Sequence, residues 1–141
     1  MTYATQQNMT DRFGERELIA LTDRDNTGVV DAAVLARGLQ SADDEINPYL
    51  VARYTLPPAS VPAIVSNFAC DIARYRLCGA EVIETEEIRN RYKDAIKFFE
   101  KVSKGEISLG LDALNQTVAS NGSVRVKSNQ AVFNQSKLSD Y

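Results

Sequence analysis

The sequence predicts an all-α fold: a small helical bundle of three long helices and short N-terminal helices, with an extended C-terminal arm. Apolar residues recur three or four positions apart in three long stretches, which is the spacing of one helix face. Asn, Gln and Ser are frequent in residues 115–141, where few apolar side chains could offset the entropy lost on ordering. We therefore predict a helical domain over residues 1–111 and an arm over residues 112–141.

The composition is that of a globular domain without a catalytic motif. The 141 residues are enough to bury a core, and a net charge of −3 gives no basic face for a general nucleic-acid binder. The chain has no His, the usual general base, and no glycine-rich phosphate loop, so we expect neither an enzyme nor a cofactor. Apolar runs are too short to span a membrane and no signal-peptide pattern is present, so we expect synthesis in a cytoplasm and no membrane partner.

Two short helices are predicted at the N-terminus. Thr5 is placed to cap the first, which runs to Phe13 with Met9 facing inward. Gly14 interrupts the pattern, and residues 15–21 form the second. Together they resemble a small lid on the rest of the domain.

Residues 23–31 are the one stretch that suggests ion binding. Asp23, Asp25, Thr27, Gly28 and Asp31 match positions one, three, five, six and nine of an EF-hand loop. Position twelve, which requires a bidentate Glu, is Val34. The favoured interpretation is a polar turn with Gly28 in a left-handed conformation and Asp31 as a helix cap. The alternative is a calcium-responsive binding module.

The first long helix is predicted from Asp31 to about Tyr54. Its acidic run, Asp43 to Glu45, is assigned to the solvated side. Pro48 falls inside the pattern and is expected to kink or split the helix. The apolar face consists of Val34, Leu35, Leu39, Ala42, Ile46, Tyr49, Leu50 and Tyr54.

The second long helix follows a proline elbow, residues 55–60, and is predicted from Val61 to about Leu77. Ser60 is placed to cap it, and Pro62 falls in its first turn, where a missing N–H costs nothing. Cys70 and Cys78 would lie about 12 Å apart on this helix, too far for a disulfide, and are expected to be buried or half-buried thiols. The apolar face consists of Val61, Ile64, Val65, Phe68, Ile72 and Tyr75.

Thr85 is placed to cap the third long helix, which ends before Gly105. Its inward face is predicted to hold Ile88, Tyr92, Ala95, Ile96, Phe99 and Val102. Its outer face is basic, with Arg89, Arg91, Lys93 and Lys97. These charges either face water and pair within the helix, or pair with the acidic first long helix of the same or another subunit. A helix-turn-helix DNA-binding protein is disfavoured because the second long helix carries little positive charge.

The predicted arm carries isolated apolar side chains that a simple spacer has no reason to contain. Residues 124–127 alternate with strand period, which suits addition to an exposed sheet edge of another protein. The candidate partner-binding residues are Val124, Arg125, Val126, Lys127, Val132, Phe133, Leu138 and Tyr141.

Several motifs together resemble the Mu-like phage and prophage neck protein family. They are Tyr3-Ala-Thr-Gln-Gln-Asn-Met-Thr-Asp-Arg-Phe-Gly14, Glu45-Ile-Asn-Pro-Tyr-Leu-Val-Ala-Arg-Tyr-Thr-Leu-Pro57 and Cys70-Asp-Ile-Ala-Arg-Tyr75. Val124-Arg-Val-Lys-Ser128 with Val132-Phe133 continues the likeness into the arm. The resemblance covers nearly the whole chain.

The resemblance implies a structural virion protein of the neck, a head–tail adaptor that joins the portal protein to a stopper or tail-completion protein. It implies a ring of identical subunits, twelve in such adaptors, with the C-terminal arm docked on the portal or on a neighbouring subunit. DNA would be a partner only in passing through the ring lumen.

Overall fold

The structure is a computed structural model that describes residues 2–79 and 82–111. The described chain contains two short and three long helices and no strand, so the all-α prediction is confirmed. The helices are α1 (Gln6–Phe13), α2 (Glu15–Thr22), α3 (Ala32–Val51), α4 (Ala63–Leu77) and α5 (Glu86–Ser103).

Helix α4 lies at the centre of the bundle. It packs extensively against α3 and α5, and it also contacts α1 and α2. Small residues on its buried side, Ala69 and Ala73, are fully enclosed, as their position beside the apolar face predicts. The crossing with α3 is close at Gly38, where an added Cβ would lie 2.6 Å from the Cγ atom of Leu77. The glycine at position 38 therefore allows α3 and α4 to pack closely.

Side-chain caps begin three of the five helices at the predicted residues. The Thr5 hydroxyl accepts the N–H of Asn8 and forms a reciprocal capping box. The Asp31 carboxylate accepts the N–H groups of Ala33 and Val34 at 2.9 and 3.0 Å. The Thr85 hydroxyl accepts the N–H of Ile88 at 3.2 Å. Caps depend on neighbours in sequence, which is why the sequence alone locates them.

The start of α4 differs from the prediction, and of the two effects expected of Pro48 the split of the helix does not occur. Helix α4 begins at Ala63, with Pro62 at the N-cap position and no side-chain cap, so the Ser60 cap is wrong. Val61 precedes a proline, which disfavours helical backbone there. Pro48 does not split α3, which runs unbroken from Ala32 to Val51. Pro48 is exposed, so the carbonyl that loses its partner can bond to water.

Two side chains lie on the opposite side from the one predicted. Asp43 was expected in solvent but is only 2% exposed. Ile64 was expected in the core but is 46% exposed, because the buried face of α4 passes through Val65, Ala69 and Ile72. The other predicted core positions of α3, α4 and α5 are buried or half-buried.

The thiols are placed as predicted. Cys70 is buried and Cys78 is half-buried, and both are free. Burial raises the pKa of the Cys70 thiol to about 11. Among the helices of the described residues, none has the length and hydrophobicity required to cross a membrane.

Candidate functional site

The candidate site is the surface from which the predicted arm leaves the helical body. All eight predicted partner-binding residues lie outside the described residues: Val124, Arg125, Val126, Lys127, Val132, Phe133, Leu138 and Tyr141. The described chain ends at Leu111, next to the predicted start of the arm. The features that position Leu111 therefore determine where the arm begins.

Residues 107–111, here called the strap, hold the end of the described chain on the body. Ile107, Leu109 and Leu111 are half-buried against the core, while Ser108 and Gly110 are exposed. This two-residue alternation is typical of an extended segment with one face on a surface. The N–H of Leu109 donates a 3.0 Å hydrogen bond to the hydroxyl of Tyr54, a buried residue next to the elbow.

The proline elbow, residues 55–60, lies beside the strap and has a cavity on each side. A cavity of about 430 Å³ is formed by the elbow together with Gly110 and Leu111. A second cavity of about 310 Å³ lies between Pro57–Pro58 and the residues Tyr3, Asn47 and Leu56. We call the first cavity the elbow groove.

Helices α1 and α2, the N-terminal lid, are joined to the body by a cluster of four charged residues that we call the lid seam: Arg12, Glu17, Asp71 and Arg74. The Arg12 guanidinium donates to both Asp71 carboxylate oxygens, at 2.8 to 3.1 Å. Arg74 pairs with Glu17 at 2.5 Å and lies over the Phe13 ring, 4.5 Å from its centroid. Asp71 is 3% exposed, and this burial raises the pKa of its carboxyl while Arg12 opposes the shift.

A second polar contact fixes the segment before α1. The N–H of Tyr3 donates to Asp43 Oδ1 at 2.9 Å, and the carbonyl of Tyr3 accepts from the Ser66 hydroxyl at 2.7 Å. Burial raises the pKa of the Asp43 carboxyl. Sequence reasoning missed this role. The signal was present, because Asp43 follows Leu39 by four residues and precedes Ile46 by three, both on the apolar face.

The acidic residue of α3 that does form a pair is Glu45. It accepts two hydrogen bonds from the Arg76 guanidinium of α4, at 2.8 and 3.0 Å, and one from the Tyr92 hydroxyl of α5. The Tyr92 ring stacks on Tyr75 with centroids 4.1 Å apart. The predicted contact between the acidic run and α5 is thus made by a tyrosine, and the basic partner comes from α4.

On α5 itself, pairing within the helix is confirmed for one of the predicted basic residues. Arg91 pairs with Glu87 one turn earlier at 2.9 Å. Arg89 pairs with Glu84, just before the helix, at 2.5 Å.

Residues 23–31 form the predicted polar turn. The Asp23 carboxylate accepts the N–H of Thr27 at 2.8 Å with one oxygen and the N–H of Gly28 at 2.7 Å with the other. These bonds lower the pKa of Asp23. Gly28 has a left-handed φ of +78°, and Asp31 caps α3. Both oxygens of the residue assigned to EF-hand position one are thus already hydrogen-bonded, and among the residues that the structure describes no three acidic, Cys or His side chains converge to hold a metal ion.

Comparison with known proteins identifies relatives over almost the full chain. The family model described as "Bacteriophage Mu, Gp36" matches residues 3–128. The chain is 34% identical to the Mu-like prophage FluMu protein gp36 of Haemophilus influenzae over 131 residues, which cover 93% of this chain and 92% of the relative. It is 31% identical to gene product J of Escherichia phage Mu over 137 residues, 94% of each chain. The chain therefore belongs to the Mu gp36 family of phage proteins.

Proposed function

We propose that this protein is a structural component of the phage virion, a head–tail adaptor in the neck that forms a ring and uses its C-terminal arm to grip the portal or a neighbouring subunit. The observation that carries the proposal is membership of the Mu gp36 family over 93–94% of the chain. The resemblance of its motifs to neck proteins supports the finer assignment. A stopper or tail-completion protein is the expected partner on the tail side.

The physical organisation of the chain supports this role. The buried core is formed by residues of the helical body, with α4 packed against the other four helices. The strap then brings the chain to a defined edge beside the elbow. The family match reaches residue 128, so it includes the alternating segment Val124–Lys127. An arm that orders only on docking would keep subunits from polymerising before their site exists.

The contacts of two buried acidic groups, Asp71 and Asp23, favour a structural role over catalysis. Asp71 is engaged by Arg12 and Asp23 by backbone N–H groups. Carboxylates held this way stabilise the body and are not poised to exchange protons with a substrate.

The test uses full-length variants of the arm in an assembly assay. V132S/F133S removes the two adjacent apolar side chains, and Q135A is the matched control within the same segment. Since truncating an anchoring aromatic at an interface typically costs about 2 kcal/mol or more, binding to purified portal rings should weaken by about thirty-fold or more.

Circular dichroism should show the same helical content in both variants and the wild type. Negative-stain images of wild-type protein with portal rings should show an added ring. Normal assembly of V132S/F133S, or no association of the wild type with portal rings or with itself, would overturn the proposal.

A further inference from the structure

All lysines of the described residues lie along α5. Lys93, Lys97 and Lys101 are spaced four residues apart, so they follow one side of the helix at intervals of about 6 Å. Lys104, the C-cap residue, comes three residues later and continues this row. All four are exposed, and the buried residues of α5 lie on the opposite side: Ile88, Ala95, Phe99 and Val102. We call Lys93, Lys97, Lys101 and Lys104 the lysine ridge.

The lysine ridge has no ion-pair partner among the described residues. The ion pairs in this part of the chain all use arginine, namely Arg12, Arg74, Arg76, Arg89 and Arg91. Asp94 and Glu100 belong to the same helix, but neither forms an ion pair with a lysine of the ridge. The ridge therefore presents a row of positive charges along about 16 Å of helix. The net charge of −3 does not reveal this row, because it is summed over the whole chain.

We infer that the lysine ridge binds the phosphate backbone of double-stranded DNA. Duplex DNA carries about one negative charge per 1.7 Å of its axis, so a row of cations finds phosphates at any position along it. An acidic protein surface offers no such continuous row of charge. Phosphate contacts of this kind carry no sequence information, so the binding would be independent of base sequence.

The use of lysine alone is consistent with DNA that moves along the surface. The ammonium group is a compact point charge that attracts phosphate without a fixed geometry, whereas the arginine fork favours bidentate pairing in one orientation. In the described residues the arginines of α4 and α5 pair with carboxylates of the body, and the lysines are left to face outward. The ridge can thus attract a DNA backbone without holding it in one register.

This inference rests on the proposed neck function for its setting, because a ring in the neck would have DNA passing through it. The lysine ridge would then line the lumen. The binding itself requires neither a ring nor the portal protein. Loss of DNA binding and loss of portal binding are therefore separate results.

The test is fluorescence anisotropy of a labelled DNA duplex of mixed sequence, titrated with the full-length chain at low salt. K93Q/K97Q/K101Q removes three charges of the ridge. R16Q/R24Q/R37Q is the matched control, because it removes three exposed cations from α2, the polar turn and α3 and changes the net charge by the same amount. Gln has nearly the same helix propensity as Lys, and circular dichroism verifies that each variant is folded. Arg125, Lys127 and Lys137, which follow the described residues, are present in every variant.

The ridge variant should bind the duplex at least about ten-fold more weakly than the wild type, and the slope of log affinity against log salt should become shallower by roughly 2–3. The control should change the affinity less than about two-fold. A titration with polyglutamate distinguishes DNA from an acidic protein and should give much weaker binding. An equal loss in the two variants, no binding of the duplex by the wild type, or equal affinity for polyglutamate would each overturn the inference.

Discussion

Replacing Gly38 with Ala should destabilise the protein, although this change normally stabilises a helix. Gly38 is buried within α3, and a Cβ there would lie 2.6, 2.7 and 2.9 Å from three side-chain carbons of Leu77. Carbon atoms in contact are normally about 3.5–4.0 Å apart. Leu77 is only 4% exposed and ends α4, so it cannot move away without disturbing the α3–α4 packing.

The expected size follows from two opposing effects. Overpacking a core typically costs 1–3 kcal/mol, and three contacts this short place Gly38→Ala at about 2–3 kcal/mol. Ala is better than Gly in a helix by about 1 kcal/mol. The net loss in free energy of unfolding is therefore about 1–2 kcal/mol.

Urea unfolding followed by circular dichroism measures this loss. With a slope of about 1–3 kcal/mol per molar urea, the midpoint should fall by roughly 0.3–2 M. Arg37→Ala, an exposed position on the same helix, is the matched control and should change stability by less than about 0.5 kcal/mol.

A double-mutant cycle tests the cause. Leu77→Ala alone should cost about 2–5 kcal/mol through the cavity it leaves. In that background Gly38→Ala has room and should stabilise by up to about 1 kcal/mol, which gives a coupling of about 1–3 kcal/mol. If Gly38→Ala leaves the wild-type midpoint unchanged or raises it, the close crossing of α3 and α4 is refuted.

Three further predictions concern the acidic groups. Burial raises the pKa of Asp43, so its contribution to stability is complete below its unfolded value near 3.9 and is lost as the pH rises through the raised value. In thermal melts, the stability of Asp43→Asn relative to the wild type should therefore increase between pH 3 and 7, and parallel pH profiles of the two proteins would contradict this. Asp43→Ala leaves the Tyr3 N–H without its acceptor and should cost about 1–3 kcal/mol of unfolding free energy. Arg12→Ala leaves the buried Asp71 carboxylate without its main partner and should lower the free energy of unfolding in urea by about 2–3 kcal/mol. This is less than for a fully buried pair, because Arg12 is 28% exposed. A loss below about 0.5 kcal/mol would show that the pair does not hold the lid. Hydrogen bonds from backbone N–H groups lower the pKa of Asp23, so the stability that its carboxylate contributes is present above the pKa of the unfolded chain and is lost as the pH falls through the lowered pKa. Asp23→Asn should therefore lose less melting temperature than the wild type below about pH 4. The same loss in both proteins would contradict the turn geometry.

The local features of the fold could be predicted from the sequence. Thr5, Asp31 and Thr85 act on N–H groups two or three residues away, so their roles depend on nothing distant. The helical spacing of apolar residues likewise predicted the core faces of α3 and α5, because the residues that recur at this spacing are the ones that are buried.

The burial of Asp43 and Asp71 could not be predicted, because it depends on partners far along the chain. Asp43 is buried because Tyr3, 40 residues earlier, supplies an N–H donor. Asp71 lies in the core because Arg12, 59 residues away, reaches it. A charge adjacent to an apolar face has two possible outcomes, exposure or a buried pair, and only the tertiary arrangement decides between them. The division at residue 111 and the partner-binding residues of the arm stay predictions.

The lid seam and the strap both fix segments that lie beside the elbow. Apolar packing is not directional, so two eight-residue helices resting on α4 could settle in several positions with similar burial. Bidentate pairing of Arg12 with Asp71 favours one of them, because a displaced lid would leave the buried carboxylate without its closest partner. The same placement brings Tyr3 against the elbow, where it lines the cavity behind Pro57–Pro58. The elbow thus has Tyr3, which precedes the lid, on one side and the strap on the other.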